Sequence, residues 1–197
     1  MKSLKGTQTL ENLMRAFAGE SQARNRYTMY GSIAGKEGYA QIESLFLETA
    51  ENERLHAKRF FDLLVEGLQG ELPASVEIHA EYPVAKGNTL ENLKAAAAGE
   101  NEEWTRAYPE FGNIASQEGF PEVAAAFKLI TKIEERHEAR FLKLAENVAD
   151  EKVFKKDGKV YWICRKCGHV HEGTSAPEKC PTCLHPKGYF EILAENY

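Results

Sequence analysis

Glu53-Arg54-Leu55-His56 and Glu134-Glu135-Arg136-His137 lie 81 residues apart and carry one pattern. In each, a carboxylate and an imidazole are three residues apart, which on a helix is one face and one turn. Both interrupt an apolar stripe. The first stripe runs Ile42, Phe46, Thr49, Glu53, His56, Phe60, Leu63, and the second Val123, Phe127, Ile130, Glu134, His137, Phe141, Leu144. The steps alternate four and three, so Glu53, His56, Glu134 and His137 occupy core positions of amphipathic helices. A buried carboxylate is too costly to leave unpaired. The two stretches therefore predict a bound cationic partner.

Outward from these stretches the chain repeats itself. Thr89-Leu90-Glu91-Asn92-Leu93 duplicates residues 9–13, and Ala98-Gly99-Glu100 matches Ala18-Gly19-Glu20, both at an offset of 80. Residues 114–120 match residues 33–39 at an offset of 81, which holds through the second Glu-x-x-His. One residue is thus inserted between Glu100 and Ile114, predicting a π-bulge or kink, with Pro109 marking the place. Four helices follow, over roughly 9–35, 39–67, 89–117 and 121–149, each ~40 Å long at 1.5 Å per residue. Thr9 or Thr7 caps the first, and residues 35–38 form a turn. Residues 71–88, with Pro73, Pro83 and Gly87, lack a sustained period and read as a long crossover. The expected fold class is mostly α: a ferritin-like four-helix bundle over 1–150, and a small β-rich domain over 151–197. In that tail, residues 155–159 read as a turn, Val160–Ile163 as a strand and Gly188–Leu193 as a closing strand.

Composition narrows the function. The chain has 197 residues, 43% of them hydrophobic, and a net charge of −5. That charge argues against a nucleic-acid footprint, which would be basic. No stretch approaches the ~20 apolar residues of a membrane span, and Met1–Leu10 is polar rather than a targeting segment. A cytoplasmic protein is the expectation.

The four helices offer Glu20; Glu53 and His56; Glu100 and Glu103; Glu134 and His137. One Glu from each of two helices plus a Glu-x-x-His from each of the other two is the di-metal carboxylate pattern of ferritin-like bundles. Five carboxylates nearly neutralise two divalent cations, and each cation takes an imidazole. Glu20 and Glu100 each follow Ala-Gly, where small residues leave room for metal-bound oxygen. Glu103 breaks the symmetry, because its counterpart is Ala23. Tyr27 and Tyr108 read either as core aromatics or as hydrogen-bond donors to bridging carboxylates or bound oxygen species. His79, His169, His171 and His185 read as loop histidines without a metal.

Cys164, Cys167, Cys180 and Cys183 form a C-x₂-C-x₁₂-C-x₂-C array. With no secretory signal, a tetrahedral S₄ metal site is a better reading than disulfides. Zinc would make the site structural and iron would make it a one-electron carrier; the cysteines alone leave this open.

The whole chain resembles the rubrerythrin family. The resemblance rests on Ala-Gly-Glu at 18–20 and 98–100, on the run Ala18–Tyr27, on both Glu-x-x-His stretches, and on the rubredoxin-like Cys-x-x-Cys-Gly and Cys-Pro-x-Cys tail. It implies a cytoplasmic, homodimeric non-haem peroxidase of oxidative-stress defence, reducing hydrogen peroxide with electrons from a donor protein or reductase. It implies two Fe ions on Glu20, Glu53, His56, Glu100, Glu103, Glu134 and His137, and one Fe, replaceable by Zn, on the four cysteines. It also implies that one iron changes partners between Glu103 and His56 with redox state. Glu103, His56, Tyr27 and Tyr108 are the expected catalytic residues, a carboxylate or tyrosine hydroxyl delivering protons. The rival readings are a ferroxidase or iron-storage protein, a manganese catalase-like or oxygen-activating site, and a structural bundle with a zinc ribbon.

Overall fold

The computed structural model describes residues 2–197. Helices α1 (Gln8–Lys36) and α2 (Ala40–Gly67) form one hairpin. Helices α3 (Thr89–Glu102), α4 (Tyr108–Gln117) and α5 (Pro121–Ala149) form the other, with a π-helical turn, Glu103–Ala107, joining α3 to α4. The inserted residue is therefore absorbed as a π-turn that ends just before Pro109. Here the Tyr108 N–H reaches back to the Glu103 carbonyl. Pro109 has no N–H to restore the tighter ladder. Trp104 Nε1 and Asn101 Nδ2 both donate to Glu138 on α5, which fixes the turn against its neighbour.

Thr7 caps α1, accepting from the Leu10 N–H at 3.2 Å. Asn88 caps α3 in a capping box with Glu91. The duplicated Thr-Leu-Glu-Asn-Leu has a second use. Glu118, in the α4–α5 turn, accepts from Thr9 N at 2.8 Å and Thr9 Oγ1 at 2.5 Å. Glu37, in the α1–α2 turn, accepts from Thr89 N at 2.9 Å. Each hairpin turn thus caps the other hairpin's first helix, where the macrodipole favours a carboxylate. Gly38 and Gly119 follow these glutamates with φ of 86° and 80°, a conformation that suits glycine.

The bundle interior is two apolar clusters with a polar layer between. One contains Leu13, Phe60, Tyr108, Phe127 and Ile130; the other contains Tyr27, Phe46, Leu93 and Phe141. The duplication exchanges them: Phe46 answers to Phe127, Phe60 to Phe141 and Tyr27 to Tyr108. Residues 71–88 cross the bundle without helix or strand. Tyr82 Oη ties this crossover to the Arg15 carbonyl at 2.8 Å, and Tyr30 Oη donates to the Ala85 carbonyl at 2.6 Å. No helix among the described residues is long and apolar enough to cross a membrane.

After Ala149 the chain forms a three-stranded antiparallel sheet, ordered β2 (Val170–Ser175), β1 (Lys155–Cys164), β3 (Phe190–Ile192). One expectation is corrected here, and one strand joins those expected. Residues 155–159 belong to β1, where they bridge a shift of register against β2 instead of turning. Strand β2 was hidden by Gly173 and polar neighbours, because pairing with β1 rather than local propensity makes it a strand. Trp162 is the centre of the small core and donates its indole N–H to the Gly173 carbonyl at 3.0 Å. Arg165 donates to Ser44 on α2 at 2.7 Å, and Phe154 stacks on Tyr39 at 5.9 Å.

Candidate metal centres

The polar layer holds Glu20, Glu53, His56, Glu100, Glu134 and His137, all buried. They form two groups whose ligand atoms converge: Glu20, Glu53, His56 and Glu134; and Glu53, Glu100, Glu134 and His137. In the first, His56 Nδ1 lies 3.0 Å from Glu53 Oε2, 3.0 Å from Glu134 Oε1 and 3.6 Å from Glu20 Oε2. In the second, His137 Nδ1 lies 3.1 Å from Glu53 Oε1, 2.8 Å from Glu134 Oε2 and 3.8 Å from Glu100 Oε2. Glu53 and Glu134 therefore give one oxygen to each group. The imidazole centres are 6.1 Å apart. Two bridging carboxylates, with one terminal carboxylate and one imidazole on each side, are a donor set for a pair of hard divalent cations.

The electrostatics call for positive charge. Glu20 Oε2, Glu53 Oε1, Glu100 Oε2, both Glu134 oxygens and His137 Nδ1 are buried without a hydrogen-bond partner. Buried polar atoms left without a well-formed hydrogen bond are rare, and these six meet one another and His56 Nδ1 as ion pairs at the two group centres. Burial, reinforced by the charges of Glu134 and Glu53, pushes Glu20 well above the usual carboxylate range. Burial and the charge of Glu53 push Glu100 up to about 8. Burial works against ionising Glu53 too, but His137 and His56 outweigh it and hold Glu53 down to about 2. Against their own burial, the surrounding carboxylates raise His56 and hold His137 protonated up to about 12. Without metal, protons on the two imidazoles supply the positive charge, so the residues fit a cation pair.

Two tyrosines orient the terminal carboxylates. Tyr108 Oη donates to Glu20 Oε1 at 2.5 Å, and Tyr27 Oη donates to Glu100 Oε1. Each leaves the other oxygen, Oε2, aimed into a group. Both tyrosines are core aromatics and donors at once, and of the donor readings the one onto bridging carboxylates is corrected, because Glu53 and Glu134 spend both oxygens between the imidazoles. Burial, followed by the charge of Glu100 at Tyr27 and Glu103 at Tyr108, raises both phenols well above their ordinary range, keeping them donors. Asn52, which no pattern in the sequence singled out, meets His137 Nε2 at 3.3 Å and leaves Nδ1 for the group.

Glu103 is half-buried and stands outside both groups. Burial, then the charges of Glu20 and Glu100, raise its pKa well above the usual carboxylate range. The room beside Gly19 and Gly99 is corrected as well. A Cβ on Gly19 would meet Tyr82 at 3.6 Å and Glu103 at 3.7 Å, and one on Gly99 would meet Arg26 at 3.6 Å. These glycines admit protein side chains.

The four cysteines converge as predicted. Sγ separations of 3.7 Å (Cys164–Cys183) and 3.6 Å (Cys167–Cys180) match the edge of a tetrahedron with ~2.3 Å metal–sulfur bonds. Each pair forms the same knuckle: Cys164 N–H donates to the His169 carbonyl and Cys180 N–H to the His185 carbonyl, each at 2.8–2.9 Å. Burial disfavours the Cys180 thiolate, but the N–H groups of Cys183 and Thr182 hold the thiol down to about 6. At Cys167 the His169 N–H favours the thiolate, yet neighbouring Cys183 pushes it up to about 12. His185 Nδ1 touches Cys183 Sγ at 3.3 Å, and His169 meets Thr182; His79 lies exposed in the crossover.

The rubrerythrin family model matches residues 11–145, and the model for the rubrerythrin rubredoxin-like domain matches residues 162–191. Rubrerythrin-1 of Clostridium acetobutylicum is 61% identical over 198 residues, covering 100% of both chains. A partially reduced nigerythrin structure is 30% identical, covers 98% of this chain and 92% of its own, and superposes with a TM-score of 0.63. A bacterioferritin of Mycobacterium tuberculosis, 18% identical, covers 76% of this chain and 90% of its own with a TM-score of 0.63, a likeness of fold alone. With both modules matched in order around two converging ligand sets, the chain belongs to the rubrerythrin family.

Proposed function

We propose that this chain is a non-haem peroxidase of oxidative-stress defence, reducing hydrogen peroxide to water. The observation that carries this is the sharing of Glu53 and Glu134 between two groups of converging ligand atoms. Glu20, Glu53, His56, Glu100, Glu134 and His137, with Glu103 beside them, would hold two iron ions; Cys164, Cys167, Cys180 and Cys183 would hold a third, replaceable by zinc. Reducing one hydrogen peroxide to two waters consumes two electrons and two protons. Bound iron would supply the electrons and polarise the O–O bond.

The chain's own groups do the rest. Glu53 and Glu134 set the spacing of the two centres, and Tyr27 and Tyr108 hold Glu100 and Glu20 in one rotamer each. Tyr108, Glu103 and His56 are the groups placed to pass protons toward the site, since Glu103 is the half-buried carboxylate next to it. Glu103 and His56 would exchange places on one metal as its charge changes. We assign residues 1–150 to the di-metal domain and residues 151–197 to an electron-relay domain. A cytoplasmic homodimer served by an electron-donor protein or reductase fits this reading. Iron storage on the same bundle leaves the cysteine tail without a role.

Cys164→Ser tests the division of labour. Steady-state turnover with an external reductant should vanish, while a single turnover of the pre-reduced protein with peroxide survives. Loss of both refutes it. Iron and zinc counts with an ultraviolet–visible spectrum of the purified protein identify the metals.

A further inference from the structure

We propose that oxidant reaches the di-metal layer through one entrance, roofed by Tyr82 of the crossover, and that Tyr82 and Ala107 set the size of molecule admitted. The entrance is a cavity of about 450 Å³ between α1, the π-turn and the crossover, lined by Arg15, Gly19, Tyr82, Glu103, Ala107 and Tyr108. Exposure falls along it. Tyr82 is 39% exposed at the mouth, Glu103 is half-buried, and Tyr108 is 2% exposed at the floor, donating to Glu20. Ring and carboxylate both lie against Gly19, which leaves the α1 wall without a side chain there.

The duplication supplies an internal control. The residue before Tyr108 is Ala107, which lines the cavity; the residue before Tyr27 is Arg26. Arg26 is buried, its Nη2 lies against Gly99, and its Nε donates to Gln22 at 2.6 Å. On the Glu100 side an arginine thus fills the place that is open on the Glu20 side. Ala23, in Glu103's place, is buried in the apolar cluster with Tyr27. The two halves of the site are alike in ligands and differ in access. On this reading the Tyr82 ring at the mouth and Ala107 beside Tyr108 make the passage favour hydrogen peroxide over branched alkyl hydroperoxides.

This rests on the peroxidase reading, so the test has two readouts. Tyr82→Ala opens the roof, and Ala107→Arg installs the plug that Arg26 provides opposite; thermal melts confirm that both fold. With iron-loaded protein, Tyr82→Ala should raise the rate ratio of tert-butyl hydroperoxide to hydrogen peroxide roughly tenfold. Ala107→Arg should slow both peroxides and the extraction of iron by 2,2′-bipyridine by roughly fivefold or more. Tyr82→Phe, which keeps the ring, should retain most of the discrimination. Folded variants that leave both extraction and the rate ratio unchanged overturn the entrance. If the wild type reacts with neither peroxide while the variants still alter iron extraction, the entrance stands and the peroxidase reading falls.

Discussion

The half of the bundle around Glu20 and the half around Glu100 descend from one pattern and do different things. Both supply an Ala-Gly-Glu, a tyrosine on the opposite half's glutamate, and a Glu-x-x-His. Around Glu100, Ala23 is buried in the apolar cluster and Arg26 packs against Gly99. Around Glu20, the π-turn sets Glu103 and Ala107 beside a cavity roofed by Tyr82. The duplication repeats the carboxylate and imidazole positions, while the one residue added in the second repeat is taken up by the π-turn that carries Glu103 and Ala107.

The comparison can be broken most strongly at the shared ligands. Glu53→Ala should remove binding at both centres, and Glu20→Ala at one, read as metal ions per chain after loading and desalting. Equal losses would show that the centres are not linked through Glu53. Next, Ala23→Glu copies Glu103 into the sealed half. It should destabilise the protein by roughly 3 kcal/mol in chemical denaturation, because the new carboxylate is buried among apolar groups. Glu103→Ala should instead stabilise the metal-free chain.

The metal-free protein should also carry a pH signature. Glu100 is raised from 4.5 to about 8 and His137 from 6.5 to about 12, so each contributes stability at low pH that is lost as pH rises toward those values. Glu53, depressed to about 2, contributes stability above 4.5 that is lost as pH falls toward 2. Melting temperature should therefore fall from pH 5 to pH 9 without metal. The slope should flatten once metal replaces the protons. Smaller again, Tyr27→Phe and Tyr108→Phe should each cost about 1–2 kcal/mol by removing the donor from a buried carboxylate. Equal costs would mean that access does not affect the strength of these bonds.

The smallest effect lies in the tail, which repeats the lesson. Gly168 and Leu184 follow the second cysteine of each knuckle, with φ of 76° and 63°. Glycine takes that conformation freely and leucine is strained in it. Leu184→Gly should stabilise the tail by about 1 kcal/mol, and Gly168→Ala should weaken it by a similar amount.

Sequence periodicity alone located all four long helices, because a stripe of steps of four and three survives every packing arrangement. The repeat offset located the inserted residue, and motif spacing picked out the four cysteines and the carboxylates and imidazoles that converge in the bundle. Each of these is a local spacing, and a carboxylate in a core stripe declares its need for a partner wherever the helix lies. Strand β2 was not legible, because its order comes from pairing with β1. Asn52 on His137 was not, nor was the crossing of tyrosines to the opposite repeat's terminal glutamates. No spacing marks Arg26 or Tyr82; their places against Gly99 and Gly19 come only from the packing of separate segments. What the chain by itself determined was which carboxylates and imidazoles interrupt its core stripes; the tertiary structure alone decided which of them converge in one group and which of the two tyrosines lines a cavity, since both depend on distances between segments that no spacing along the chain encodes.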